Sequence, residues 1–299
     1  MVFRYLSPHA GWPPGDDGDR RGEGRPGFPW RGQLAEATVK RGRVLNGTDC
    51  CVHVTHRCHN RQFLLRFERD RRRYVARLRE AASRFAVEVL DYVVTSNHVH
   101  LLLWAPRLDA VSAAMQFLQG TSARDYNRRK HRQGAYWSDR YRPTLIQNGA
   151  HLSRCLFYIG MNMVRAHAVE HPGEWAACGY RELTGRRQRY RIVNRERLLR
   201  CLGMPERVAD FQRWYETTIR DLCAAGYHVR EPVWTEAAAV GSREWVEELS
   251  QVVAVGRKSV VPVESRADLA VGEGEASYAL RLSRRQADAL LDATAAQKP

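Results

Sequence analysis

The sequence predicts an α+β fold: a split βαβ, ferredoxin-like palm with an antiparallel sheet, followed by a small helical C-terminal appendage. Three observations predict it. Between about 48 and 185 the patterns run β-α-β-β-α-β-α. A Thr95-Ser96-Asn97 turn separates two β-rich runs, which makes them a hairpin. Near 186 the pattern gives way to a basic run and then to helical periodicity.

The elements follow in order. Cys50-Cys51-Val52-His53-Val54-Thr55-His56 reads as a strand. Glu68 to Phe85 reads as a helix, with Tyr74, Val75, Leu78, Ala81 and Ala82 at helical spacing amid Arg and Glu. Val87 to Val94 and Val99 to Trp104 form the hairpin. Leu108 to about Arg129 is helical, with Val111, Met115 and Leu118 on one side. Arg140 to Gln147 is a short strand ending at Asn148-Gly149. Ala150 to about Val169 is a helix stopped by His171-Pro172-Gly173. Its stripe Leu152, Leu156, Ile159, Met163 and Ala166 is expected to pack inward, leaving Tyr158 on the polar side. Beyond the basic run, helices are expected at about 195–202 and 205–225, and Ser242 is placed to cap another. The domain reading is a disordered basic Gly/Pro tail over 1–45, a catalytic domain over 46–185, a helical domain over 186–262 and a polar tail over 263–299.

The 299 residues carry 48 Lys+Arg against 33 Asp+Glu, a formal charge of +15. Only four of the basic residues are lysine, which a GC-rich genome would also produce. The charge surplus itself favours a polyanionic partner, because arginine forks match phosphate oxygens. No apolar run reaches the ~18 residues of a membrane span, and 1–27 lacks a signal-peptide core, so a cytoplasmic protein without membrane contact is expected. Seven cysteines without a C-x-x-C pair argue against a disulfide scaffold or zinc finger.

Two groups of residues carry chemistry. His98 and His100 flank Val99 on a strand, so their side chains share a face. Two imidazoles so placed can grip one metal ion; the spacing equally fits two ordinary polar strand residues. Tyr158 and Asn162 are four apart on a helix and share a face, with His151, Arg154, Cys155 and Arg165 near the same stripe. A half-buried tyrosine with no chemical role would look the same.

The combination is more specific. Val52-His53-Val54-Thr55-His56-Arg57 with Asn60-Arg61, then Tyr92-Val93-Val94, Asn97-His98-Val99-His100-Leu101-Leu102-Leu103, Tyr136-Trp137-Ser138-Asp139-Arg140-Tyr141 and Tyr158-Ile159-x-x-Asn162 occur in one order. This pattern resembles the HUH single-tyrosine transposases, closest to the REP-associated tyrosine transposases and their small insertion-sequence relatives. The resemblance implies a ferredoxin-like HUH endonuclease palm. It implies that His98 and His100 are paired metal ligands, Asn162 the third, and Tyr158 the nucleophile. The implied cofactor is Mg²⁺ or Mn²⁺. The implied activity is cleavage and rejoining of single-stranded DNA, often beside a hairpin, through a 5′-phosphotyrosine link. Many members are dimers, so a homodimer is among the expected forms, with the tyrosine helix used in cis or in trans. Three positions depart from the pattern: Ser96 stands for the frequent Pro, Cys58 for the usual Gly, and Asn162-Met163-Val164 for Asn-Pro-Val. None removes a catalytic group.

Asn60, Arg61, Arg140, Arg142 and Arg165 are the candidate DNA contacts, with the run Arg186 to Arg191 as a further backbone contact or a linker. Tyr136, Trp137 and Tyr141 could stack on bases or fill the core. Two rivals keep the fold. A non-catalytic or domesticated nucleic-acid-binding protein would leave the H-x-H and Y-x-x-x-N pairing unexplained. A hydrolase using water would need a general base, and Asp91 and Asp109 are the nearest carboxylates in sequence. A host-fixed nuclease acting on palindromes shares the chemistry and differs only in biological role.

Overall fold

The computed structural model describes residues 50–186, 190–252, 258–263, 276–283 and 286. The expected 1–45 tail, residues 187–189 of the basic run and most of the expected 263–299 tail lie outside the described residues.

Strand β1 (Cys50–Arg57), helix α1 (Glu68–Arg84), strands β2 (Glu88–Val94) and β3 (His98–Ala105), helix α2 (Leu108–Arg129) and strand β4 (Arg142–Ile146) follow the expected order. They form an antiparallel sheet β2-β3-β1-β4, the strand order of a split βαβ. Helices α1 and α2 cover one face: Tyr74 of α1 meets Trp137, which stacks on His56 of β1. Helix α3 (Ala150–Gly160) covers the other, where Tyr158 meets His53 and His100. With both faces covered, Leu101 to Trp104 is a continuous buried run, not an alternating one.

Two expectations about the helix after β4 need correction. The expected single helix Ala150 to Val169 breaks at Met161 and resumes as α4 (Asn162–Arg165). Nor does α3 keep a polar face: His151, Arg154, Cys155 and Tyr158 are all buried. The cover comes from the C-terminal half. Gly160 faces Tyr215, and a Cβ there would sit 2.6 Å from the Tyr215 hydroxyl, so glycine permits the approach. His151 Nδ1 lies 3.0 Å from Ser277 Oγ.

The stretch 186–262 holds α6 (Arg195–Leu202), α7 (Val208–Ala224), α8 (Val233–Glu236) and α9 (Arg243–Val252), after a short α5 (Tyr180–Leu183). Ser242 caps α9 by accepting from the Trp245 amide at 3.3 Å. This stretch and the expected polar tail after it also add strands that the sequence pattern does not announce. Strand β5 (Ala239–Gly241) pairs parallel with β4, and β7 (Ser277–Leu282) and β6 (Lys258–Val263) extend the sheet to β2-β3-β1-β4-β5-β7-β6. Three residues of Ala-Val-Gly carry too little β preference to be read as a strand; β5 forms because the β4 edge offers Leu145 and Gln147 amides to Ala238 and Val240 carbonyls. Among the described residues, no helix is long and apolar enough to cross a membrane.

Candidate active site

An open cleft of about 710 Å³ lies where the end of β1, the start of β3, the loop before β4 and the α3–α4 junction converge. His98, His100, Tyr158, Asn162, Arg61, Arg140, Arg142 and Arg165 all line it. Asn60 does not; it sits in the turn after β1 with φ 49°, a left-handed value that asparagine tolerates, and turns Arg61 toward the cleft wall. Tyr136 is buried core, while Trp137 packs on His56 and donates Nε1 to the Gln119 carbonyl. Tyr141 is half-buried, with its hydroxyl 3.0 Å from Ser112 Oγ.

The two imidazoles project from the same face of β3, with ring centroids 5.1 Å apart, while Val99 points into the opposite core. Hydrogen bonds fix their protons. Thr95 Oγ1 donates to the His98 carbonyl and Asn97 Nδ2 donates to the Arg61 carbonyl. Thr95 Oγ1 and Asn97 Oδ1 are thereby left to accept from His98 Nδ1, at 2.9 and 2.8 Å. His100 Nδ1 lies 2.9 Å from His53 Nε2, and His53 Nδ1 lies 2.7 Å from the Trp234 carbonyl. The Nε2 atoms of His98 and His100 make no hydrogen bond to described residues. Burial pushes His98 and His53 from 6.5 down to about 4 and His100 well below its ordinary value; the arginines around His98 add to the effect. All three rings are therefore neutral near pH 7.

Tyr158 lies over this pair, its ring 5.9 Å from that of His100 and perpendicular to it. Arg165 reaches back from α4, donates to the Tyr158 carbonyl at 2.6 Å and places its guanidinium 4.0 Å from the ring centre. Burial raises the Tyr158 pKa, and Arg165 and Arg230 oppose that rise. Proximity to arginines alone therefore does not make this phenol acidic. Asn162 opens α4 beside it, and its amide makes no hydrogen bond to another described residue.

Among the described residues, no three His, Cys, Asp or Glu side chains gather to hold a metal. The donor set is two imidazoles and the Asn162 amide. A metal–nitrogen bond is ~2.1 Å, so two rings at this separation can reach one ion. Bare Nε2 atoms on neutral rings are what such an ion requires. Mixed N/O donors with room for water suit Mn²⁺ or Mg²⁺.

The electrostatics of the cleft are one-sided: Arg57, Arg61, Arg140, Arg142, Arg165 and Arg230 line it against Asp139 and Glu236. Arg57 sits below its ordinary range, first through burial and then through the neighbouring Arg61, Arg230 and Arg142. Such a cleft concentrates phosphate. Arg57, Arg230 and His53 are contributors the sequence reading did not assign. Arg57 follows His53 by four along β1, a same-face spacing that could have found it. Nothing local marks Arg230.

Residues 46–162 match the family model described as transposase, IS200-like. Among solved structures, the chain is similar to a REP-associated tyrosine transposase bound to a REP hairpin. That match has 16% identity and a TM-score of 0.40, covering 46% of this chain and 80% of the other. It is also similar to a protein from Deinococcus radiodurans R1 described as a candidate transposase. Here identity is 18% and the TM-score 0.30, with 40% of this chain and 91% of the other covered. No curated protein matches the chain.

Proposed function

We propose that this chain, whose residues 46–162 match the IS200-like transposase family model, cuts and rejoins single-stranded DNA, next to hairpins, through a covalent link to Tyr158. One observation carries the reading: a buried tyrosine packs 5.9 Å from the His100 ring of an H-x-H pair whose Nε2 atoms make no hydrogen bond to described residues, inside an arginine-lined cleft.

In the proposed step the Tyr158 oxygen attacks phosphorus. The new O–P bond replaces the bond to the 3′ oxygen, which leaves as a hydroxyl, taking up a proton while the phenol loses one. The DNA 5′ end stays on the tyrosine, and the free 3′-OH can reverse the step on the same or another strand. Arg165 over the ring, with Arg230, offsets the charge of the phenolate that burial disfavours. Arg57, Arg61, Arg140 and Arg142 hold the flanking phosphates. His98, His100 and Asn162 would hold a divalent ion, which when bound polarises the phosphate and offsets charge in the transition state. A cytoplasmic location belongs to the same reading. A homodimer belongs to the same reading and is read out by sedimentation.

The test is incubation of the chain with single-stranded hairpin DNA and Mn²⁺ or Mg²⁺. A covalent adduct is expected with the wild type and absent in Tyr158→Phe; an adduct that persists in that variant refutes the nucleophile. His98→Ala is expected to lose metal-dependent cleavage while keeping its fold. DNA binding without any cleavage by the wild type would favour a non-catalytic binding protein of the same fold.

A further inference from the structure

We infer that His53 is a positioning residue for the H-x-H pair, and that the C-terminal segment sets it: the Trp234 carbonyl, through His53, turns the bare nitrogen of His100 into the cleft. The inference rests on the metal reading of that pair.

The chain of atoms admits one assignment of protons. The Trp234 carbonyl can only accept, so His53 Nδ1 carries a hydrogen. His53 is fully buried, with no carboxylate bonded to it, so the ring holds a single proton. Its Nε2 is then an acceptor, and the His100 nitrogen 2.9 Å away must be the donor. His100, also buried, then has its lone pair on Nε2, on the cleft side. The two rings stack at 14°, which fixes the plane of His100 as well as its tautomer. His98 needs no such relay, because Thr95 and Asn97 in the adjoining turn take its Nδ1 hydrogen. A metal-bound histidine is ordinarily held by a carbonyl or carboxylate on its other nitrogen. Here the carbonyl belongs to a residue 181 positions from His53 and is reached through a second imidazole.

The far end of the relay is itself anchored. Trp234 is buried, and its Nε1 donates to Glu231 Oε2 at 2.6 Å. Thr144 of β4 donates to the Ala237 carbonyl at 2.7 Å, pinning the same segment to the sheet. The Trp234 ring also lies 6.1 Å from that of Tyr158. Residue 234 lies beyond the family-matched segment 46–162, so a part of the chain outside that segment shapes its metal-binding face.

The experiment uses the full chain with ¹⁵N-labelled histidine. Long-range ¹H–¹⁵N correlations on the metal-free protein are expected to show His100 as the Nδ1–H tautomer. Mn²⁺ titration followed by electron paramagnetic resonance is expected to show affinity falling about 10- to 100-fold in His53→Ala. His53→Gln, whose amide oxygen can still accept from His100, is expected to recover most of that loss. A wild-type His100 in the Nε2–H form overturns the relay and needs no variant to fold. So does unchanged Mn²⁺ affinity in a folded His53→Ala. If the wild type binds no Mn²⁺, the metal reading fails, and the tautomer still decides the relay.

Discussion

Glu231 is the residue on which the C-terminal wall of the cleft depends, and its removal has a calculable cost. The side chain is buried, and its two oxygens accept from Tyr227 Oη at 2.5 Å and Trp234 Nε1 at 2.6 Å. Both donors are themselves buried, so Glu231→Ala leaves an O–H and an N–H without their acceptor. Each orphaned donor costs about 1–3 kcal/mol, giving about 2–6 kcal/mol for the pair. At ~2–4 °C per kcal/mol for a domain of this size, the melting temperature should fall by roughly 4–24 °C. Glu231→Gln keeps one acceptor for Trp234 and turns an amide toward the Tyr227 oxygen, which can accept; one donor, the Tyr227 O–H, is orphaned instead of two, so the cost should be about half, ~1–3 kcal/mol. Urea unfolding of the full chain, followed by tryptophan fluorescence, measures both. A Glu231→Ala stability within about 0.5 kcal/mol of wild type would refute the packing of residues 227–237 described above. Equal losses in the Ala and Gln variants would refute the counting of orphaned donors.

Two further outcomes follow from the electrostatics. Arg230→Ala should weaken single-stranded DNA binding and make the log–log salt slope shallower by about 0.7, the release expected for one phosphate contact; an unchanged slope measured by fluorescence anisotropy would remove Arg230 from the DNA-binding set. Burial holds His53, His56, His98 and His151 at about 4 against 6.5 for an exposed imidazole. The folded values are the lower ones, so the unfolded chain gains protons first as the pH falls. Stability is therefore full above pH 6.5 and is lost as pH drops toward 4, by about 2 kcal/mol per imidazole at pH 5. Urea midpoints at pH 7.5 and 5.0 check this, and equal midpoints would show that these rings are not buried as neutral groups.

The parts of the site that a reader of the sequence can find are those whose signal is local. Period-two alternation puts His98 and His100 on one face, and they are found there, 5.1 Å apart. Helical spacing brings Tyr158 near Asn162, and both line the cleft even though the helix breaks between them at Met161. What failed was the inference from polarity to exposure. His151, Arg154 and Tyr158 look like a solvent stripe, and they are buried because α7 and β7, more than 50 residues away, close over α3. A hydrophobic pattern reports how one helix divides its own surface; it carries no information on how many neighbours will cover it. His53 shows the same limit more sharply. As a residue of β1 it is unremarkable, and its apparent importance comes from what its Nδ1 touches. That partner is a backbone carbonyl, the one group that every residue has and that no residue type advertises. Side-chain identity can nominate the atoms that would meet a phosphate or a metal. Which backbone group holds those atoms in place is decided by the long-range pairing of β4 with β5, and this becomes visible only when the chain is folded.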